Sequence, residues 1–314
     1  MLGMQNKIRR PEELQAWRAS VGKDPVAVLC GSFDLMQPGN LQSVQWAARH
    51  ADHVLVLIAT DTSDPGDVRP LLTEDERVAM VSYLRSVSTV CGLTPDHAAN
   101  AADALGDYIW VGNPEADANE PLAALIKPPA ADYVNTTRIA NSRTSEILGA
   151  IRGLATPIAT PEDATRGGPA AEPPKDERVT VNGCFDILHP GHMAFLADAR
   201  SMGSHLVVMI NSDASVRRYK GPTRPIYPET FRSTMLRELS AVDDVFVFDD
   251  DTPLALLAEL QPAVHVKGGS FEADRVADEQ QQLDSWGGRL AYSPMVAQFS
   301  TTRYLERIQK ATGD

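Results

Sequence analysis

Residues 30–63, CGSFDLMQPGNLQSVQWAARHADHVLVLIATDTS, align without a gap on residues 182–215, NGCFDILHPGHMAFLADARSMGSHLVVMINSDAS. Glycine, Phe-Asp, Pro-Gly and the closing Asp61 and Asp213 coincide. Further on, RPLLTEDERVAMVSYL (69–84) matches RPIYPETFRSTMLREL (224–239), with Arg-Pro, Glu, Arg and Met in common. Self-similarity of this length means one structural unit made twice. Residues 154–177 lie between the copies, rich in Pro, Ala, Thr and Gly and without apolar periodicity, as in a linker. The expected organisation is a domain over 1–153, a linker over 154–177 and a domain over 178–314.

Each copy alternates strand and helix. In the second, VTVN (179–182) and LVVMI (206–210) are short β-branched runs of the buried parallel-strand kind. Met193, Leu196, Ala197 and Arg200 sit between them at helical spacing. A helix over 228–240, strands at 245–248, 263–266 and 289–292, a helix opened by Thr252-Pro253 and a last helix from 301 complete the pattern. Such alternation predicts an α/β fold, a doubly wound parallel sheet in each copy, with ligands beyond the carboxyl ends of the strands.

The chain has 314 residues, enough for two domains with separate cores. Its 29 Lys and Arg against 42 Asp and Glu leave a net charge of −13, which argues against a nucleic-acid partner. No apolar run is long enough to span a membrane, and residues 1–20 lack an apolar signal core and read as a short polar helix. Three scattered cysteines fit neither a disulfide framework nor a metal site, and point to a reducing, cytoplasmic setting. An acidic protein can still hold a small anion where charge is locally positive, and Arg217, Arg218, Lys220 and Arg224 fall close together. The acidic run at 249–253 reads as helix capping and surface.

The loop NGCFDILHPGH, 182–192, carries the chemistry. Pro190 fixes φ for helix entry, and Gly191 removes a side chain where phosphates must come close. His192 then falls in the first helical turn, whose free N–H groups and dipole favour an anion. His189 and His192 can both donate hydrogen bonds to phosphate oxygens as charge develops. Asp186 orients N–H groups of the loop, touches a magnesium ion indirectly, or is an Asx-turn residue.

This loop resembles the H-x-G-H signature of the cytidylyltransferase-like nucleotidyltransferases, and the likeness extends through most of 178–310. Within that family, NGCFDILHPGH, NSDASVRRYKGPTRPI, VKGG and STT together are most similar to the D-glycero-β-D-manno-heptose 1-phosphate adenylyltransferases. Glycerol-3-phosphate cytidylyltransferases share the first loop and the final Ser-Thr-Thr, but carry Arg-Thr-Glu-Gly-Ile where this chain has MVAQF. The resemblance implies two tandem Rossmann-like nucleotidyltransferase domains. It implies attack of a sugar phosphate oxygen on the α-phosphorus of ATP or CTP, with Mg²⁺ held mainly by the triphosphate. His189, His192 and Lys220 would be catalytic. Gly183, Cys184, Phe185, Asp186, Gly191, Lys267, Gly268, Gly269, Ser300, Thr301 and Thr302 would bind the nucleotide, and Asp213, Arg224 and Arg232 the acceptor. Ser270 departs from the family's usual Asp. The alternatives are a cytidylyltransferase acting on glycerol 3-phosphate or an amino-alcohol phosphate, and a non-catalytic nucleotide sensor or scaffold. The expected partners are the nucleoside triphosphate and a small phosphorylated acceptor, with no nucleic acid and no membrane.

The first copy has Gln37 for His189 and Asn40 for His192, and WVGN (110–113) in place of VKGG. It is expected not to be a transferase. It is either a structural half, packing against the second copy as the subunits of a homodimeric transferase would, or a ligand sensor using Asn40, Arg69 and Arg143; the expected assembly is an intrachain pseudo-dimer of the two domains or a homodimer. The structural role is preferred, because binding without charged donors is weak.

Overall fold

The computed structural model describes residues 5–60, 70–112, 126, 133–135, 175–268 and 276–294. The chain divides into two compact units, Met1–Thr144 and Ser145–Asp314. Most of the expected linker, up to residue 174, lies outside the described residues.

The first unit runs β1 (Ile8–Arg9), α1 (Leu14–Ser20), β2 (Val26–Gly31), α2 (Pro38–His50), β3 (His53–Ala59), α3 (Glu74–Ser82), β4 (Thr89–Leu93), α4 (Pro95–Leu105), β5 (Ile109–Gly112) and β6 (Tyr133–Asn135). Its six strands are all parallel, in the order β1-β4-β3-β2-β5-β6. The second unit runs β7 (Arg178–Gly183), α5 (Pro190–Arg200), β8 (His205–Asn211), α6 (Asp213–Lys220), α7 (Glu229–Arg237), β9 (Asp244–Phe248), α8 (Leu254–Leu260), β10 (Val264–Gly268), α9 (Ala277–Asp284) and β11 (Arg289–Ser293). Its five parallel strands follow β11-β10-β7-β8-β9. Leaving β1 aside, the two orders are the same. The expected α/β architecture, with two Rossmann-like doubly wound parallel sheets, is what the chain adopts.

Burial explains why these runs are strands. From Leu206 to Asn211 every residue of β8 is buried, so both faces of the sheet are covered and the run LVVMI, 206–210, is continuously apolar rather than alternating. The first unit's core gathers β2, β3, β4 and β5 around Trp110, with Leu14 and Trp17 of α1 packed into it. The amino-terminal segment is therefore amphipathic rather than polar, and Ile8–Arg9 add an edge strand beside β4. Helices α6 and α9 had no apolar periodicity to announce them. Ser212 starts α6 by accepting the Ser215 N–H at 3.0 Å. Among the described residues no helix is long and apolar enough to cross a membrane.

In the second unit β7 is central. The chain goes first to β8 on one side and later returns to β10 on the other. The crevice at the carboxyl ends of β7 and β10 is a topological switch point, the place where open α/β sheets take ligands. The 183–190 loop leaves β7 there.

Candidate active site

His189 is the N-cap of α5, in extended backbone, and Pro190 is its first helical residue. His189 is buried, and its Nδ1 accepts the His192 N–H at 3.3 Å. The two imidazoles lie stacked, 3.8 Å between centroids and 19° apart in plane. Phe185 backs the pair, its ring 5.2 Å from that of His192. It adopts a left-handed backbone, φ 47°, a conformation of the kind tolerated where surrounding structure over-determines a functional loop. Gly183 lies under the same ring, and a Cβ there would sit 3.0 Å from Phe185, so the ring would have to give way. Gly268 at the end of β10 has Phe195 at 3.3 Å from its Cβ position. Gly191 is in the first turn of α5.

Burial, then His189 and Lys220, hold His192 well below the usual imidazole range. It is thus neutral at pH 7 and donates from one nitrogen. Its Nδ1 is buried with no hydrogen-bond partner among the described residues. An anion at the free N–H groups of α5 would oppose the downward shift and meet a donor already in place.

Asp186 and Arg232 build the walls. Asp186 is buried and accepts from Arg224 Nε and Nη2 at 2.8 and 2.6 Å, from Ile226 N at 2.9 Å and from Tyr227 N at 2.9 Å. It orders the 224–227 segment against the loop. Arg232, on α7, is also buried, donating to the carbonyls of Tyr227 (2.9 Å), Cys184 (2.7 Å) and Asn211 (2.9 Å) and to Asp213 Oδ1 (2.7 Å). Asp213 Oδ1 also accepts the Glu229 N–H at 2.8 Å, while Glu229 Oε2 accepts the Asp213 N–H at 2.7 Å, so α6 and α7 cap each other. Arg232 and Asp213 were expected at the acceptor, and these are the partners the structure gives them. Closure of the fold turns both side chains onto backbone groups and each other, and makes them a clamp. Arg224 is paired with Asp186 and its side chain stays partly exposed.

The basic cluster separates in the same way. Arg218 pairs with Asp251 at 3.0 Å and Asp249 at 3.5 Å, tying the acidic loop to α6. Lys220 is exposed, its Nζ 5.5 Å from the Tyr219 ring centroid, and forms no ion pair among the described residues. It acts electrostatically on His192 and Cys184, which sets it beside the loop. Cys184 is nearly buried, and burial pushes its thiol up; its carbonyl serves Arg232. Lys267 is at the end of β10 as expected, but its ammonium meets Asn182 Oδ1 at 2.8 Å and Glu279 Oε1 at 2.7 Å, bracing β10 on β7. Asn182 and Glu279 were not foreseen. Glu279 stands in the polar run ADEQQQLD, where no local pattern distinguishes it from a surface carboxylate. Gly269, Ser270, Ser300, Thr301 and Thr302 lie outside the described residues.

Below Lys267, His265 is fully buried, with Nδ1 2.8 Å from Thr180 Oγ1. Burial first, and Lys267 second, hold it well below the usual range. Unfolding frees an imidazole that protonates near 6.5, so the unfolded state binds a proton the folded state refuses. Stability is unaffected above that pH and is lost as pH falls below it, at up to about 1.4 kcal/mol per pH unit. Urea midpoints measured between about pH 7 and pH 5.5 should fall more steeply in the wild type than in His265→Gln.

In the first unit the same latch survives without the histidines. Asp34 accepts from Leu71 N and Leu72 N, both at 3.0 Å. Burial pushes its carboxyl up. Arg77 is buried and donates to Ser32 O at 2.6 Å and to Leu72 O at 3.3 Å. At the start of α2 the amides turn onto the helix end. Asn40 Oδ1 accepts the Gln37 N–H at 3.0 Å, and Gln37 Nε2 reaches Asp34 O at 3.4 Å. Val111 occupies the position matching Lys267. Asp61, Arg69 and Arg143 lie outside the described residues.

The chain is 40% identical over 194 residues to the bifunctional protein HldE of Geobacter sulfurreducens, covering 62% of this chain and 39% of that protein. It is 36% identical over 242 residues to the bifunctional protein HldE of Koribacter versatilis, covering 76% and 48%. The chain thus spans less than half of either relative. A solved structure, the lipopolysaccharide core biosynthesis protein of Thermoplasma volcanium, shares 28% identity over 38% of this chain and 94% of its own, with a TM-score of 0.32. The family described as cytidylyltransferase-like matches residues 28–128 and again 180–305, and on that double match over two similarly ordered sheets the chain belongs to the cytidylyltransferase-like family.

Proposed function

We propose that the second unit is a nucleotidyltransferase that moves a nucleotidyl group from ATP to a sugar phosphate, with heptose 1-phosphate the preferred acceptor. The observation that carries this reading is the stacked pair His189 and His192 at the amino end of α5, in the switch-point crevice. An oxygen of the acceptor phosphate attacks the α-phosphorus, the bond from that phosphorus to the oxygen bridging to the β-phosphate breaks, and pyrophosphate leaves. The α5 N–H groups and the neutral His192 stabilise charge on the transferring phosphoryl group, and His189 holds the helix start in register. Lys220, exposed beside the loop, neutralises phosphate charge.

The magnesium ion that the resemblance implies is the triphosphate's companion. Asp186 and Asp213 are already engaged by Arg224, Arg232 and backbone N–H groups, so they do not fit the role of metal ligands. Among the described residues no group of three or more His, Cys, Asp or Glu is arranged to hold a metal. Preference for adenine rests on the likeness of VKGG and STT and on MVAQF before the latter.

The test is pyrophosphate release by the full chain with ATP or CTP against heptose 1-phosphate, glycerol 3-phosphate and amino-alcohol phosphates. Turnover with ATP and the heptose phosphate is expected. Turnover only with CTP and a polyol phosphate overturns the substrate assignment, and no turnover with any pair overturns the enzyme. The first unit, with self-capping amides where the histidines would be, is read as a structural half.

A further inference from the structure

Tyr219 is the most exposed large apolar side chain among the described residues, 53% accessible, yet it is not loose. Its hydroxyl donates to Asn211 Oδ1 at 3.4 Å, and Asn211 is itself fixed through its carbonyl by the buried Arg232. The phenol also interacts with Cys184 of the active-site loop, and burial of that end pushes it up to about 12, so it remains a neutral donor. One end of the side chain is anchored at the base of the site while the ring faces outward. Lys220 follows directly, with Nζ 5.5 Å from the ring centroid. A rigid aromatic face beside a cation on a flexible stem is the complement of a ligand with an apolar ring face and a phosphate.

Topology says which substrate that is. Tyr219 and Lys220 end α6, which follows β8, and β8 flanks β7 on the side away from β10. The switch-point crevice, between β7 and β10, takes the nucleotide. The β8 side of the His189–His192 loop is left for the second substrate. We propose that Tyr219 is a substrate-binding residue that selects a cyclic acceptor, stacking on the C–H face of its pyranose ring while Lys220 meets its phosphate. This rests on the nucleotidyltransferase reading and deepens it, because it separates a sugar phosphate from an acyclic polyol phosphate by one side chain. The first unit is three residues shorter across this stretch, and its residues 64–68, DPGDV, include no aromatic ring.

Steady-state kinetics of the full chain, wild type, Tyr219→Ala and Tyr219→Phe, test it with ATP, heptose 1-phosphate and glycerol 3-phosphate. Tyr219→Ala should raise KM for heptose 1-phosphate by about ten-fold, the effect of losing one apolar ring face, and leave KM for ATP unchanged. Tyr219→Phe keeps the ring and should stay within about two-fold of wild type. Any turnover of glycerol 3-phosphate should be indifferent to both changes. An unchanged heptose 1-phosphate KM in Tyr219→Ala, or a change confined to ATP, overturns the proposal while leaving the wild-type reaction, and hence the nucleotidyltransferase reading, intact. If the wild type turns over no pair, that reading fails. Binding of heptose 1-phosphate by calorimetry then judges Tyr219 alone, equal affinity in wild type and Tyr219→Ala overturning it.

Discussion

His192→Asn is expected to lower kcat by about a hundred- to a thousand-fold while leaving the protein folded. That range is typical for removing one preorganised donor from a site where negative charge develops. The replacement matches Asn40, the residue at the equivalent position in the first unit. An amide there has a local alternative, because Asn40 turns back to accept the Gln37 N–H at 3.0 Å. A histidine in the first turn of α5 instead lies flat on His189 and is backed by Phe185. His192 is the better residue to change than His189. His189 is also the N-cap of α5, and replacing it costs about 1 kcal/mol of stability on its own. Pyrophosphate release, with circular dichroism as the check on folding, reads the result. A rate in His192→Asn within a few-fold of wild type would remove the histidine pair from the chemistry.

Arg232→Met should destabilise the second unit by about 3–5 kcal/mol, the range for breaking a buried pair and leaving its partners behind. The methionine matches much of the volume but supplies no donor. The carbonyls of Tyr227, Cys184 and Asn211 lose a donor, and Asp213 keeps only its bond from Glu229 N and its own link to Glu229. The loss should appear as a lowered urea midpoint. Arg77→Met in the first unit belongs to the same class, since Arg77 is equally buried and bonded to Ser32 O and Leu72 O. Wild-type stability in Arg232→Met, together with a raised KM for the acceptor, would return Arg232 to the substrate and refute the clamp.

These two residues mark how far local pattern carries. His189 and His192 are three apart around Pro-Gly and directly after a strand. Everything that marks them as a candidate site, the strand end, the N-cap and the helix dipole, is within a few residues of them. Arg232 looked like a cation on a helix near other cations. Beyond Tyr227, its partners are 48 residues away at Cys184, 21 away at Asn211 and 19 away at Asp213, too far for any local pattern to show them. Lys267 was legible as the end of a strand, but its partner Glu279 belongs to a helix without apolar periodicity. Helix α6 has no apolar stripe: its eight residues, DASVRRYK, are held by Ser212 and by its mutual caps with α7.

The sequence by itself determined the duplicated unit, the parallel sheets and the loop that leaves β7 at the switch point. Continuous apolar runs, Pro-Gly helix starts and gap-free self-similarity are written in neighbouring residues. Tertiary structure alone decided which charges are consumed in intrachain pairs and which stay exposed. Of the expected acceptor-binding residues, Asp213 and Arg232 became a clamp, Arg224 joined Asp186, and Lys220 remained exposed beside the loop. The physical reason is that a buried charge must find its partner wherever chain closure brings one, and closure is a property of the whole sheet rather than of any segment.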